Sequence, residues 1–106
     1  MSFEAGAIRE TASADTFADG LAVRKPIAEA FDVYAQGAAR IVSVSEAQIA
    51  EAMCVYYTDT HNLAEGAGAA ALAALIQERE TMRGKRVGVI LSGGNVDRTV
   101  YARVIG

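Results

Sequence analysis

The tetrapeptide Ser92-Gly93-Gly94-Asn95 follows directly on the apolar run Val87-Gly88-Val89-Ile90-Leu91. A hydroxyl and free backbone amides at the end of such a run suit an anion or a heterocyclic nitrogen. The spacing is neither G-x-G-x-x-G nor a Walker loop, so the same four residues can equally be a tight turn. Glu65 stands before Gly66 and Gly68 in "LAEGAGAAALAAL". Its charge favours a helix N-terminus, and the small residues let that helix approach another backbone or a flat ligand closely. Asp19-Gly20 is a third candidate, with turn chemistry of its own. Cys54 and His61 are the only cysteine and histidine. Together they exclude an internal disulfide, a cysteine metal cluster and a two-histidine metal site. Cys54 reads as a structural thiol within a helical apolar pattern, and His61 as a polar residue at a helix end.

With 106 residues and 52% apolar composition the chain suits one domain, and its charges are mixed in sign with a net charge of −3. No basic stripe is present, which excludes nucleic acid as an expected partner. The longest apolar passage, Ala67 to Ile76, is too short to span a bilayer, and Glu4 and Arg9 interrupt any signal-peptide core. No membrane partner is expected, and the cytoplasm is the expected location.

These residues need elements to position them. Val87–Leu91 reads as a buried strand of a parallel sheet, followed by a helix that Asn95 caps. Ile41–Val44 reads as a second strand, and Ser45-Glu46-Ala47-Gln48 has the form of a capping box that opens a long helix to about His61-Asn62. The helical spacing of Ile49, Met53, Tyr56, Tyr57 and Thr60 marks its core face. Another helix is expected from Ala67 to about Glu80. Pro26 opens an earlier one that runs to about Gln36, ends at Gly37 and turns Ile27, Phe31 and Tyr34 to one side. Residues 1–24 read as an irregular lead-in, with a short helix near Glu4 to Arg9. The expected order is helix-strand-helix-helix-strand-helix, an α/β arrangement. Two parallel strands make an incomplete sheet, so the expected chain is a partial one that self-associates as a homo-oligomer.

Four blocks, "TFADGLAVRKP", "IVSVSEAQIAEAM", "LAEGAGAAALAAL" and "GKRVGVILSGGNVD", stand here in one order. In that order and spacing they resemble the carboxy-terminal part of the threonine dehydratase and serine racemase group of pyridoxal-phosphate enzymes. The resemblance covers nearly the whole chain from Thr16 onward. It implies fold type II, the tryptophan-synthase-β-like fold, of which residues 1–106 are a carboxy-terminal segment of the large domain holding part of a three-layer parallel sheet. It also implies pyridoxal phosphate as cofactor in the complete enzyme and a small amino acid as substrate. Ser92 would bond the pyridine nitrogen, and Gly93 and Gly94 would let the flat cofactor and the backbone come close. Glu65 and Gly20 would lie by the cofactor, and Asp19 would lie on the substrate side. A neutral hydroxyl at the ring nitrogen suits β-elimination better than transamination.

The departure from the family is an absence. Its Schiff-base lysine, ring-oxygen asparagine and phosphate-binding loop all lie upstream of these blocks. The two lysines here, Lys25 and Lys85, match positions that are not catalytic. No catalytic residue is therefore assigned in this chain, and the expectation is an ammonia-lyase portion inactive by itself. The lack of an appended regulatory domain after Gly106 resembles the catabolic form. The alternative is a small non-catalytic α/β module that binds an anion or associates with itself.

Overall fold

The computed structural model describes all residues, Met1–Gly106. Its elements are α1 (Ser2–Ala5), a 3-10 turn (Asp19–Leu21), α2 (Ala28–Gly37), α3 (Glu46–Val55), a π turn (Tyr56–Thr60), α4 (Gly66–Gln77) and α5 (Arg98–Ile105).

Helix α3 begins where its sequence signal lies. The Ser45 Oγ accepts from the Gln48 amide at 3.1 Å, and Gln48 Oε1 accepts from the Ser45 amide at 2.8 Å. The reciprocal pair satisfies two donors that an open helix end would leave to water. Gln77 Nε2 extends the network from the end of α4, donating to the Ser43 carbonyl and to Gln48 Oε1. The same helix α3 buries Ile49, Ala52 and Met53. Tyr56 is half-buried, whereas Tyr57 and Thr60 are exposed, so the expected apolar face fades toward its carboxyl end. The last turn widens. Thr60 Oγ1 donates to the Tyr56 carbonyl at 2.7 Å, and His61 caps the turn in the left-handed region at φ 57°. Side-chain bonds to carbonyls compete with the regular ladder, and the π geometry accommodates them.

Helix α4 packs chiefly on α3, and α5 also packs against α3. Buried Ala69 and Ala73 keep the α3–α4 approach close, and Ala18, Ala64 and Tyr101 complete the core around Met53. On α2, Phe31 is buried, while Ile27 just before it is exposed.

The strands are a correction. Neither Ile41–Val44 nor Val87–Leu91 makes a backbone hydrogen bond to the other or to any further segment, so the chain contains no sheet. A β-branched apolar run expresses a preference for a pleated surface buried on both sides, but the ladder itself needs an adjacent strand. The helix-strand-helix-helix-strand-helix order is accordingly not that of the chain. Smaller shifts accompany it. The first helix lies at Ser2–Ala5, Asp97 rather than Asn95 precedes α5, and Gly37 is the last residue of α2 instead of a stop after it. Helix α4 ends at Gln77, and successive turns follow to Gly84, whose φ of 78° suits glycine.

Candidate functional site

The amino end of α4 gathers the three candidate motifs. Glu65 is its N-cap residue in an extended conformation, yet its side chain makes no capping bond. The carboxylate lies instead against Gly93: a Cβ built on Gly93 would collide with Glu65 Oε1 and lie 3.4 Å from Glu65 Cδ. The Glu65 amide donates to the Gly93 carbonyl at 3.1 Å. A Cβ on Gly68, one turn along, would overlap that carbonyl and lie 3.0 Å from the Gly93 nitrogen. A Cβ on Gly94 would lie 2.5 Å from the Leu63 carbonyl. Gly68 and Gly94 thus let two backbones meet directly, and Gly93 leaves room for the Glu65 carboxylate.

The Asp19-Gly20 turn closes on the same helix end. A Cβ on Gly20 would stand 2.8 Å from Ala67 Cβ, and one on Gly66 would stand 2.9 Å from Ala18 Cα. Between these parts lies a cleft of about 320 Å³ lined by Asp19, Glu65, Asn95, Asp97 and Arg103 among others. Three carboxylates and one guanidinium give it a polar, mostly acidic wall. Ser92 is exposed, next to Gly93 rather than among the residues lining this cleft.

The structure therefore brings Asp19, Gly20, Glu65, Gly93 and Gly94 together and puts Ser92 at the edge of the group. The small residues after Glu65 do approach a backbone closely, and that backbone is the Ser92 turn. Sequence reading passed over Asn95, Asp97 and Arg103 as lining groups; Arg103 is a turn and a half beyond Asp97 on an amphipathic α5, and no local motif marks it.

Lys25 and Lys85 are exposed, and neither lines this cleft or the two other concavities of the molecule. His61 Nδ1 lies 3.2 Å from the Tyr57 carbonyl and is occupied with its own turn. Cys54 is half-buried, its Sγ 3.9 Å from the Val104 carbonyl, where it joins α3 to α5. No helix is long and apolar enough to cross a membrane.

The groups with displaced titration lie outside the cleft. Burial, aided by the neighbouring Tyr57 and Cys54, raises the Tyr101 phenol, whose hydroxyl is buried without a partner. Arg40 forms a two-pronged ion pair with Glu78, and its hydrogen bond holds the Glu78 carboxyl below the usual range.

Known proteins resemble this chain in sequence and in backbone. The L-threonine ammonia-lyase of Geobacter sulfurreducens is 39% identical over 105 residues, covering 98% of this chain and 26% of that protein. The L-threonine ammonia-lyase of Thermotoga maritima is 37% identical over 90 residues, covering 85% of this chain and 22% of that protein. A crystal structure of the threonine deaminase from T.th. superposes with a TM-score of 0.83 at 31% identity, over 91% of this chain and 35% of that one. The serine racemase of Dictyostelium discoideum superposes at 0.78 with 30% identity, over 91% of this chain and 31% of its own. This chain thus spans about a quarter to a third of most of these relatives. Residues 1–93 match the pyridoxal-phosphate dependent enzyme family, and with these relatives alike in both sequence and backbone, the chain belongs to that family.

Proposed function

We propose that this chain is a carboxy-terminal segment of the large domain of a pyridoxal-phosphate-dependent threonine or serine ammonia-lyase. It supplies one wall of the site and is inactive by itself. The observation that carries this reading is the convergence of Asp19-Gly20, Glu65 and Gly93-Gly94 on one helix end, with no lysine lining any concavity.

The residues present fit the cofactor along one edge. Exposed Ser92 offers a neutral hydroxyl beside two glycines that carry no side chains of their own, which suits donation to a pyridine nitrogen. When bound, pyridoxal phosphate supplies the electron sink for loss of the substrate α-proton. Ser92 would hold the ring nitrogen without giving it a full proton. Glu65 would stand beside the ring, and Asp19 would face the substrate across the acidic cleft, where a substrate ammonium group finds opposite charge. The net reaction of the complete enzyme is conversion of threonine or serine to the 2-oxo acid and ammonia, with the β-hydroxyl as leaving group.

The test is direct. The purified chain is mixed with pyridoxal phosphate, reduced with borohydride and mapped by mass spectrometry, and ammonia release from threonine is followed in parallel. No stoichiometric adduct and no ammonia are expected, because no base in this chain is placed to take the α-proton. A site-specific adduct on Lys25 or Lys85 with turnover of threonine would overturn the reading.

A further inference from the structure

The glycines at this site face functional groups of the opposite segment. The Cβ direction of Gly93 is filled by the Glu65 carboxylate, and the Cβ direction of Gly68 is filled by the Gly93 carbonyl, to which Glu65 donates its amide at 3.1 Å. From this geometry we infer that Gly68 and Gly93 are positioning residues. The bare α-carbon of Gly93 sets where the Glu65 carboxylate stands. That of Gly68 sets how closely the Ser92 turn approaches α4. The inference rests on the reading of Ser92 and Glu65 as groups beside the cofactor ring, and it names what fixes their mutual spacing.

The two glycines act against different obstacles. A methyl group on Gly93 meets the far end of a flexible side chain, which can rotate aside at little cost. A methyl group on Gly68 meets main chain, which can yield only by stretching the Glu65–Gly93 hydrogen bond. Gly93→Ala therefore moves a carboxylate while sparing the fold, whereas Gly68→Ala opens the clasp. Gly88, four residues before Ser92, has nothing within 4 Å of its Cβ position and serves as the control.

The experiment uses the full chain without cofactor. Carbon-13 resonances of the Glu65 carboxyl and Ser92 Cβ, exchange of the Glu65 amide and the denaturation midpoint are compared in Gly93→Ala, Gly68→Ala and Gly88→Ala. Gly93→Ala is expected to keep the midpoint of Gly88→Ala and to shift the Glu65 carboxyl resonance. In a Glu65→Asp background, one methylene shorter, the same substitution leaves the carboxyl resonance in place. Gly68→Ala is expected to lower protection of the Glu65 amide about tenfold and to move Ser92 Cβ, with protection at Ala73 retained. An unmoved Glu65 carboxyl in Gly93→Ala, or loss of folding in that variant, overturns the inference. So does a Gly68→Ala chain with unchanged Glu65 exchange; if that variant does not fold, Gly93→Ala decides alone. Because no cofactor is present, failure here leaves the assignment of Ser92 to the ring nitrogen standing, and failure of that assignment leaves the clasp standing.

Discussion

Ser92 and Tyr101 carry hydroxyls in opposite situations. The exposed Ser92 hydroxyl is available to a ligand, and its worth is measurable in a chimera where this chain replaces the matching segment of the Geobacter sulfurreducens ammonia-lyase. Ser92→Ala is expected to weaken cofactor retention several-fold, since one neutral hydrogen bond contributes about 0.5–1.5 kcal/mol net. Ser92→Asp is expected to behave differently, because a carboxylate favours a protonated pyridine and diverts product toward transamination. Wild-type kinetics and product ratios in both variants would refute the role. Tyr101 buries its hydroxyl without a partner. Tyr101→Phe removes that unsatisfied group and keeps the ring on Tyr57, so urea unfolding should show a gain of about 1 kcal/mol. The pH dependence has a definite sign. Burial raises the Tyr101 pKa above the ordinary 10.0 of a free phenol, so the stability this residue contributes is full below that pH and declines as pH rises through the folded value. An alkaline loss of stability, much reduced in Tyr101→Phe, is the expected outcome. At this scale the motifs were readable because glycine, serine and glutamate types restrict what a position can do. The partners were not readable: nothing local in "EGAGA" says that Gly68 faces the Gly93 carbonyl, a long-range contact that only folding creates.

The helices were legible where a side chain writes their start. Ser45 and Gln48 encode the opening of α3, and the structure forms both bonds of the box. Ser45→Ala should destabilise the chain by about 1 kcal/mol, read from the shift in urea midpoint at constant slope. Gln77→Ala should cost less, because the box survives it and only the ties from α4 to the Ser43 carbonyl and to Gln48 Oε1 are lost. A loss with Gln77→Ala as large as with Ser45→Ala would show that the network, not the cap, holds this end. Legibility failed at α5, where Asn95 and Asp97 are both acceptable caps by type and neither side chain is spent on the helix in a way that the sequence could rank. It failed again at the strands. Alternating or continuous apolar residues describe the surfaces a segment wants to cover, whereas pairing is decided by what lies alongside it. Val87–Leu91 and Ile41–Val44 keep strand-like composition with no neighbour in this chain to complete a ladder.

The whole molecule shows the consequence of those unpaired segments. Only 12 of 106 residues are buried, and the radius of gyration of 14.7 Å exceeds the roughly 13 Å of an ordinary domain of this length. The shape is a slab of 39 × 36 × 19 Å. Ile90 is 79% exposed, and Ile41, Val42, Val87 and Val89 are exposed beside backbone that makes no hydrogen bond to other main chain. A shallow groove lined by Val42, Val44, Ile49, Ala70 and Ala74 continues this apolar surface. Free main-chain groups and apolar side chains on one segment invite edge pairing, which would bury both at once. The isolated chain is therefore expected to self-associate. Sedimentation equilibrium over a hundredfold concentration range should show an average mass rising above the 11.1 kDa of the monomer. Ile90→Lys is expected to move the curve toward monomer, because a charge on the most exposed apolar position of the edge opposes its burial. Glu51→Lys, on the exposed side of α3, leaves that edge unchanged and should leave association unchanged as well. An ideal 11.1 kDa monomer throughout would mean that the helices alone satisfy the chain and that its apolar edges are tolerated in water.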